Sequence, residues 1–415
     1  MGQIADVCVI GAGAAGLMAG IFAARGGART AVVEASTTAG RKLLVTGRGR
    51  CNITHDCTVD EFLRACRPFD RFLRHSIHSF GPGKVLEFFH GRGLASKTEP
   101  DGCIFPVSDR AGDVKQILLE CADEAGVRFA YGRIVRQIRR IEDGFEIQIE
   151  GQTLQSRCVI LAAGGMSWPQ TGTPRNGFEL ARQLGHTNVA SRAALIPLVT
   201  REEWPSQLQG MGVTDTIVSA RIGGKTISQR GPLMFTEDGI GGPGVLNLSR
   251  EITDGLDGDS TVEVRVDLMA YLPVDFFENW LIKQAAAHPK KTVATVMAGV
   301  LRKGLALQVC LLAGMRAEQT IGQMSKAMRK ELIRQAKELT LVITATRPIE
   351  EAIVTRGGVE LAAIDSKTME SKICPGLYFA GEVMNVDGPC GGYNLTIAFA
   401  TGALAGMTSS KNSKH

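Results

Sequence analysis

The stretch from Asp6 to Glu34 narrows the folds open to this chain to very few. Val7-Cys-Val-Ile10 reads as a short buried strand, Gly11-Ala-Gly13-Ala-Ala-Gly16 follows at once, and an apolar run continues to about Arg25. A second strand-like run, Thr30-Ala-Val-Val33, ends in Glu34, 23 residues after Gly11. A lone G-x-G-x-x-G is weak, because glycine-rich turns are common. Strand, motif, helix, strand and acid in this register form a βαβ dinucleotide-binding unit. Gly11 permits the tight turn, Gly13 lets backbone approach a pyrophosphate, and Gly16 lets the helix pack on the strand. The helix N-terminus presents free N–H groups and a positive dipole end to the phosphates. Glu34 can accept both ribose hydroxyls, which a 2′-phosphate would prevent. The uncharged run Val7 to Ala24 otherwise imitates a signal peptide or membrane span, but it lacks a basic leading region and its glycines belong to the turn.

An adenine dinucleotide is therefore expected, and the motif's place at the start of the chain favours FAD over NAD. Arg157-Cys-Val-Ile-Leu-Ala-Ala-Gly-Gly165 reads as a strand running into paired glycines, preceded by a hairpin with an Asp143-Gly144 turn. Gly376-Leu-Tyr-Phe-Ala-Gly-Glu382 reads as a strand returning to the same sheet, with Glu382 set against a ribityl hydroxyl. Gly388-Pro-Cys-Gly-Gly-Tyr-Asn394 then opens an apolar helical run. A helix starting there aims its dipole at the flavin pyrimidine edge, where reduced flavin carries its negative charge.

No acidic residue lies between Glu34 and Asp56, yet Arg41, Lys42, Arg48 and Arg50 fall within ten residues laced with Gly40, Gly47 and Gly49. This segment is expected to wrap the pyrophosphate and isoalloxazine, its cations neutralising charge and its glycines allowing close approach. The alternative is a basic surface loop. Cys51, beside Arg50, has two readings: a thiol of depressed pKa that gives a proton to substrate, or a cysteine packed by the cofactor. Tyr393 and Cys390 stand behind it on the same logic.

Ten cysteines in 415 residues, with no C-x-x-C, are too few for a disulfide scaffold and point to reduced thiols in a cytoplasmic protein. His75 and His78 lack carboxylate or cysteine partners at metal spacing, so no metal is expected. Gly239-Ile-Gly241-Gly-Pro-Gly244 spells a second G-x-G-x-x-G. Pro243 removes a donor that a phosphate cradle needs, so a structural turn is expected. Net charge is +5 but uneven: between Lys283 and Lys337 eleven Lys/Arg oppose only Glu318 and Glu331, giving +9. That run is either a solvated helical face or a patch for a polyanion. No Phe, Tyr or Trp lies between Trp280 and Tyr378, so base stacking is not expected from it. Docking on structured RNA through shape and phosphates remains.

At GAGAAG, GRKLLVTGRGRCN (40–52), EPDGCIFPVSDRAGDV (99–114), LAAGGMSWPQTGTPRNG (from 161), GPLMFTEDGIGGPGVLNLSR (from 231), VTRGGV, TMESK, GLYFAGEV and GGYN, the chain resembles the BaiN-like family of bacterial flavoproteins along nearly its whole length. It departs from the family pattern at Arg48, Asn176, Asn385 and Cys390. The resemblance implies an α/β fold: a Rossmann-like, GR2-type FAD-binding domain from residues 1–193 and 343–415. The insertion that interrupts it comprises a small β-barrel (194–269) and a basic helical part (270–342). Cofactor contacts are expected from Gly11, Gly13, Ala14, Ala15, Gly16, Glu34 and Ala35; from Gly40, Arg41, Lys42, Thr46, Gly47, Gly49, Arg50, Cys51 and Asn52; and from Ala163, Gly164, Gly381, Glu382, Gly392, Tyr393, Asn394 and Leu395.

The activity implied is that of an FAD-dependent oxidoreductase with NAD(P)H as electron donor, passing hydride from flavin N5 to an unsaturated substrate. The basic insert points to a uridine in structured rRNA, as in a dihydrouridine synthase. The alternatives are a small-molecule substrate of amine or enone/steroid type, and a flavin-binding redox sensor without turnover. No membrane partner is expected.

Overall fold

The strand Ile4–Ile10 (β1) runs inside a seven-stranded sheet because Val7 to Ile10 are apolar and buried. In the computed structural model, residues 4–171, 176–256 and 260–413 are described, so Gly172 to Arg175 of the motif that begins at Leu161 lie outside them. On one side β1 pairs in parallel with Thr30–Val33 (β2), which pairs in parallel with Arg128–Ala130. On the other side Gln152–Leu161 runs parallel to β1. That strand is shared: its first part pairs with the antiparallel hairpin Val135–Ile141 and Gly144–Ile149, and its last residues pair with Leu377–Phe379. The late strand thus returns to the sheet although a second unit intervenes in the sequence.

The helix Ala14–Arg25 (α1) has no polar face because it is covered twice, by the sheet and by the C-terminal helix Tyr393–Asn412. Glycines set the second contact. A Cβ at Gly402 would lie 2.3 Å from the Ala15 carbonyl oxygen, and one at Gly406 2.4 Å from that of Ala19. The uncharged run at the start of the chain is therefore β1 and α1, and among the described residues no helix is long and apolar enough to cross a membrane. The polar end SSKNS belongs to the same C-terminal helix and its cap. Ser409, Ser410 and Ser413 are buried, and the Arg157 guanidinium donates to the Ser413 carbonyl at 2.7 Å.

The chain divides into two units, Met1–Arg192 with Ile349–His415, and Ala193–Pro348. The second has its own core and a closed antiparallel barrel of six strands: Leu198–Thr200, Gly239–Gly241, Lys225–Phe235, Gly212–Ile222, Val262–Asp267 and Leu339–Thr346, in spatial order. Gly223 and Gly224, at φ +57° and +80°, make the expected tight hairpin. Closure comes from Leu339–Thr346, which pairs with Val262–Asp267 and Leu198–Thr200. Its alternate residues Leu339, Leu341 and Ile343 fill the barrel core, so it does not return to the first unit near residue 343 as the sequence suggested. The helices Val274–Ala287, Val293–Met297, Lys303–Leu312 and Lys326–Lys337 are accordingly an excursion between two neighbouring barrel strands. The second glycine motif serves packing: a Cβ at Gly239 would lie 2.2 Å from the Leu198 oxygen, and one at Gly242 2.8 Å from that of Pro232.

Candidate functional site

The turn from β1 into α1 is built by glycines with different tasks. Gly11, at φ +100°, donates to the Val33 carbonyl at 2.8 Å, and a Cβ there would lie 2.5 Å from the Ala162 oxygen. Gly16 is tighter still, since a Cβ would lie 1.8 Å from the Gly11 oxygen. Gly13 caps α1, and a Cβ on it would meet nothing within 4 Å, so backbone borders open space at the positive end of the helix. No acidic side chain occupies the first turn. Ala14 and Ala15 pack against the first unit's core, Ala15 beneath the C-terminal helix.

Glu34 stands at the end of β2. One carboxylate oxygen accepts from the Ala12 N–H at 2.7 Å and the other from the Ser36 N–H at 2.7 Å. Each oxygen keeps a further lone pair, so the acid is fixed but not saturated. A cleft runs from Glu34 and Ala35 past Gly11 and Gly13 to Gly40, Arg41 and Lys42, bordered by Ala163 and Gly164. Open backbone at a helix N-terminus and an anchored, unsaturated carboxylate fit the pyrophosphate and ribose of FAD. Sequence reasoning missed Ser36, Thr38, Arg133, Val135, Thr171 and Asn176, which also line the cleft. Arg133 arrives because its N–H donates to the Glu34 carbonyl at 2.9 Å, and Asn176 donates to the Val135 carbonyl at 2.6 Å. Such long-range backbone pairing leaves no local motif.

Beyond the cleft's basic end lies a polar knot. The Lys42 ammonium donates to Glu382 at 2.6 Å and to the Ser167 hydroxyl at 2.7 Å. Glu382 also accepts from the Ser167 hydroxyl at 2.9 Å and the Thr355 N–H at 2.7 Å. Burial alone would raise the Glu382 carboxyl; the Lys42 charge and these donors outweigh it and hold the group below its ordinary value. One Glu382 oxygen is filled by Ser167 and Thr355, while the oxygen facing Lys42 keeps a lone pair. Ser167 and Thr355 lie in the motifs LAAGGMSWPQTGTPRNG and VTRGGV, but nothing local in those runs marks them as partners of Glu382.

The four clustered cations do not share one task. Arg41 lines the cleft and donates to the Gln170 carbonyl at 3.2 Å, whereas Arg48 is exposed at φ +58°. Arg50 turns away: it pairs with Glu99 at 2.5 Å and Asp109 at 3.7 Å, with its guanidinium 3.9 Å from the centre of the Phe105 ring. Lys42 and Arg50 are thus already paired with carboxylates of the protein, so the four cations differ in the charge they could offer a cofactor. The small sheet Thr54–His55, Cys103–Pro106 and Ser96–Thr98 brings Arg50's partners in from far along the chain.

The same segment kinks at Thr46, Gly47 and Arg48, with Gly47 at φ +56° and Gly49 following at +86°. Thr46 donates its hydroxyl to Leu43 at 2.6 Å and accepts from the Cys51 N–H at 3.0 Å. Asn52 accepts from the Ile104 N–H at 3.2 Å. Cys51 is fully buried, and burial pushes its thiol up to about 12. The depressed pKa expected beside Arg50 is absent, because burial dominates; this environment fits packing. Tyr393 is buried between Phe62 and His55, with ring centroids 4.9 and 4.8 Å away. Burial first, and then the neighbouring Cys57 and Cys66 thiols, push its phenol up, so neither residue is a ready acid. Gly381, at φ +72°, seats the end of the late strand on α1, where a Cβ would lie 2.7 Å from that of Ala15. Gly392, at φ +93°, lies where a Cβ would press on Thr54 at 2.5 Å. Asn394 staples the preceding loop, accepting from the Gly388 N–H at 2.8 Å and donating to its carbonyl at 2.9 Å, while Leu395 packs against the core.

A dinucleotide cleft of this kind, in a chain whose second unit is a barrel carrying helices, belongs to an FAD-dependent oxidoreductase. The chain is a member of the HI0933-like protein Rossmann domain family, whose model matches residues 5–408. It is 33% identical over 406 residues to a 3-dehydro-bile acid delta(4,6)-reductase of Clostridium scindens, covering 97% of this chain and 98% of that protein. It is 28% identical over 398 residues to the ribosomal RNA dihydrouridine synthase of Escherichia coli, covering 95% and 96%. The Haemophilus influenzae protein of the same name is 29% identical over 417 residues, covering 99% and 100%. The fold resembles that of a flavocytochrome c3 fumarate reductase, with a TM-score of 0.52 at 14% identity, covering all of this chain and 79% of that one. A 3-ketosteroid delta1-dehydrogenase from Sterolibacterium denitrificans gives 0.51 at 14%, covering 99% and 100%.

Proposed function

We propose that the protein reduces a carbon–carbon double bond conjugated to a carbonyl, with a uridine of structured ribosomal RNA as its substrate. Uracil and a 3-oxo-Δ4,6 steroid share that conjugated system, so the names of both sets of relatives support one reaction class. When bound, FAD supplies the two-electron chemistry, taking hydride from NAD(P)H and giving it to the alkene. The chain's part is to hold the adenosine end through Glu34 and Gly13 and to keep Lys42 on Glu382 at the other end of the cleft.

One observation carries the choice of RNA. Lys283, Lys290, Lys291, Arg302, Lys303, Arg316, Lys326 and Lys330 are exposed and make no ion pair among the described residues, while within residues 283–337 Glu331 is paired with Arg334 and only Glu318 remains to oppose them. A surface so poorly neutralised suits phosphate contacts. That all ten cysteines are free thiols agrees with the cytoplasm, where such a substrate resides. The second reading, a small-molecule enone, is favoured by the higher identity to the bile acid reductase. The test supplies holoprotein and NADPH with unmodified ribosomal RNA or with a 3-oxo-Δ4 steroid. RNA in which one uridine gains two hydrogens by nucleoside mass spectrometry is the expected result; steroid reduction with untouched RNA would overturn the RNA assignment.

A further inference from the structure

Aromatic rings stand beside the unpaired cations, although the basic run itself contains none. Tyr271 and Phe276 lie just ahead of it and are 55% and 70% exposed. Phe276 sits on the helix Val274–Ala287, where Trp280 and Lys283 follow at i+4 and i+7 and so share its face. Tyr271 precedes that helix, and its hydroxyl donates to the Val300 carbonyl at 3.5 Å, two residues before the exposed Arg302 and Lys303. The same turn also approaches Trp280: a Cβ at Gly299 would lie 3.9 Å from its ring. Two exposed aromatics, a part-exposed indole and three cations are thereby gathered along one helix and one turn.

Single exposed apolar residues are ordinary, but Phe276 stands with the exposed Tyr271 and the part-exposed Trp280, and clustered apolar surface of this kind marks a contact site. The charge around it selects the partner. Lys283, Arg302 and Lys303 are exposed and make no ion pair among the described residues, and the nearest exposed acid on the helix is Asp275. Aromatic faces with flanking Lys/Arg are the recurring means of holding unpaired nucleotides, the rings stacking on bases and the cations meeting phosphates.

We infer that the surface formed by Tyr271, Phe276, Lys283, Arg302 and Lys303 binds a single-stranded loop of the RNA substrate. This rests on the RNA reading above and adds a stacking platform, which the sequence window alone argued against. The test is fluorescence anisotropy with labelled RNA hairpins carrying a uridine-rich single-stranded loop, and with a fully paired duplex of equal length, on holoprotein. Phe276→Ala is expected to weaken loop binding by about ten-fold with an unchanged salt slope and little effect on the duplex. Arg302→Gln with Lys303→Gln is expected to flatten the salt dependence by roughly 0.7 for each phosphate no longer neutralised. Both variants should keep wild-type FAD content and reduction by NADPH. If the wild type binds the hairpin and both variants bind equally well, the surface assignment is overturned while the RNA reading stands. If the wild type binds neither RNA, the RNA reading itself falls. Binding of phosphatidylserine vesicles that Phe276→Ala abolishes, with no RNA binding, would reassign the surface to a membrane.

Discussion

Lys42 and Glu382 are 340 residues apart in the chain and 2.6 Å apart in the structure. Their contact ties the cation-rich segment at the cleft's end to the strand that returns late to the sheet, and Ser167 and Thr355 complete the knot. The pair has a defined pH signature. The Glu382 carboxyl is held below the ordinary 4.5, so it adds stability above that value and loses it as pH falls through the lower folded value. Lys42→Met removes the compensating charge and leaves burial in control, which raises the carboxyl and reverses the sign. The variant should be about 1.5–3 kcal/mol less stable at pH 7 and should recover part of this by pH 5. Urea unfolding at the two pH values checks it; an equal loss at both would show that the pair is not the cause.

Glu34 is expected to govern retention of FAD. Glu34→Ala removes a charged acceptor for the ribose and frees the Ala12 and Ser36 N–H groups it now binds. The FAD dissociation constant should rise by roughly ten- to a hundred-fold, which corresponds to about 1.5–3 kcal/mol. Titration of apoprotein by flavin fluorescence measures this, with Glu34→Gln expected to fall between.

Cys51 should behave as a core residue. It is fully buried and its thiol is pushed up to about 12, so the folded protein should resist alkylation at pH 8 until denatured. Cys51→Ala should cost about 1 kcal/mol of stability yet keep bound FAD, reduction by NADPH and turnover. Loss of turnover with flavin reduction intact would return it to the role of proton donor.

The parts legible in the sequence were those in which one local constraint acts alone. Gly11, Gly13, Gly16 and Glu34 have their register fixed by one turn and two adjacent strands, and the structure places them as the spacing implied. Arg50 shows the opposite case. Its neighbours suggested a cofactor cation, but Glu99, in the turn between Ser96–Thr98 and Cys103–Pro106, and Asp109, in the loop after that pair, are its partners. The strand Leu339–Thr346 was readable as a strand but not by destination. Alternating apolar residues specify a buried face, and only the pairing partners Val262–Asp267 and Leu198–Thr200 say whose face it is.

The last prediction separates charges that hold the helix Lys326–Lys337 from charges free to meet a ligand. On a helix, the i, i+3, i+4, i+8 spacing of Lys326, Arg329, Lys330 and Arg334 puts all four on one cationic stripe. In the structure Arg329 is part-buried and pairs with Glu278 at 3.1 Å, Arg334 pairs with Glu331 at 2.6 Å, and Lys337 pairs with Asp267 at 2.7 Å while donating to the Met269 and Leu272 carbonyls. Arg329→Gln should therefore cost about 1 kcal/mol of stability by leaving Glu278 without its partner, and should change RNA affinity little. Lys326→Gln with Lys330→Gln should leave stability within about 0.5 kcal/mol per site, because both side chains are exposed and unpaired among the described residues. The same pair should weaken RNA binding and lower the salt slope by roughly 0.7–0.9 for each phosphate no longer neutralised. Thermal unfolding together with binding at several salt concentrations resolves the two effects. A double lysine variant that binds RNA with the wild-type salt slope would make Lys326 and Lys330 a solvated face, and would confine the RNA surface to the cations beside Tyr271 and Phe276.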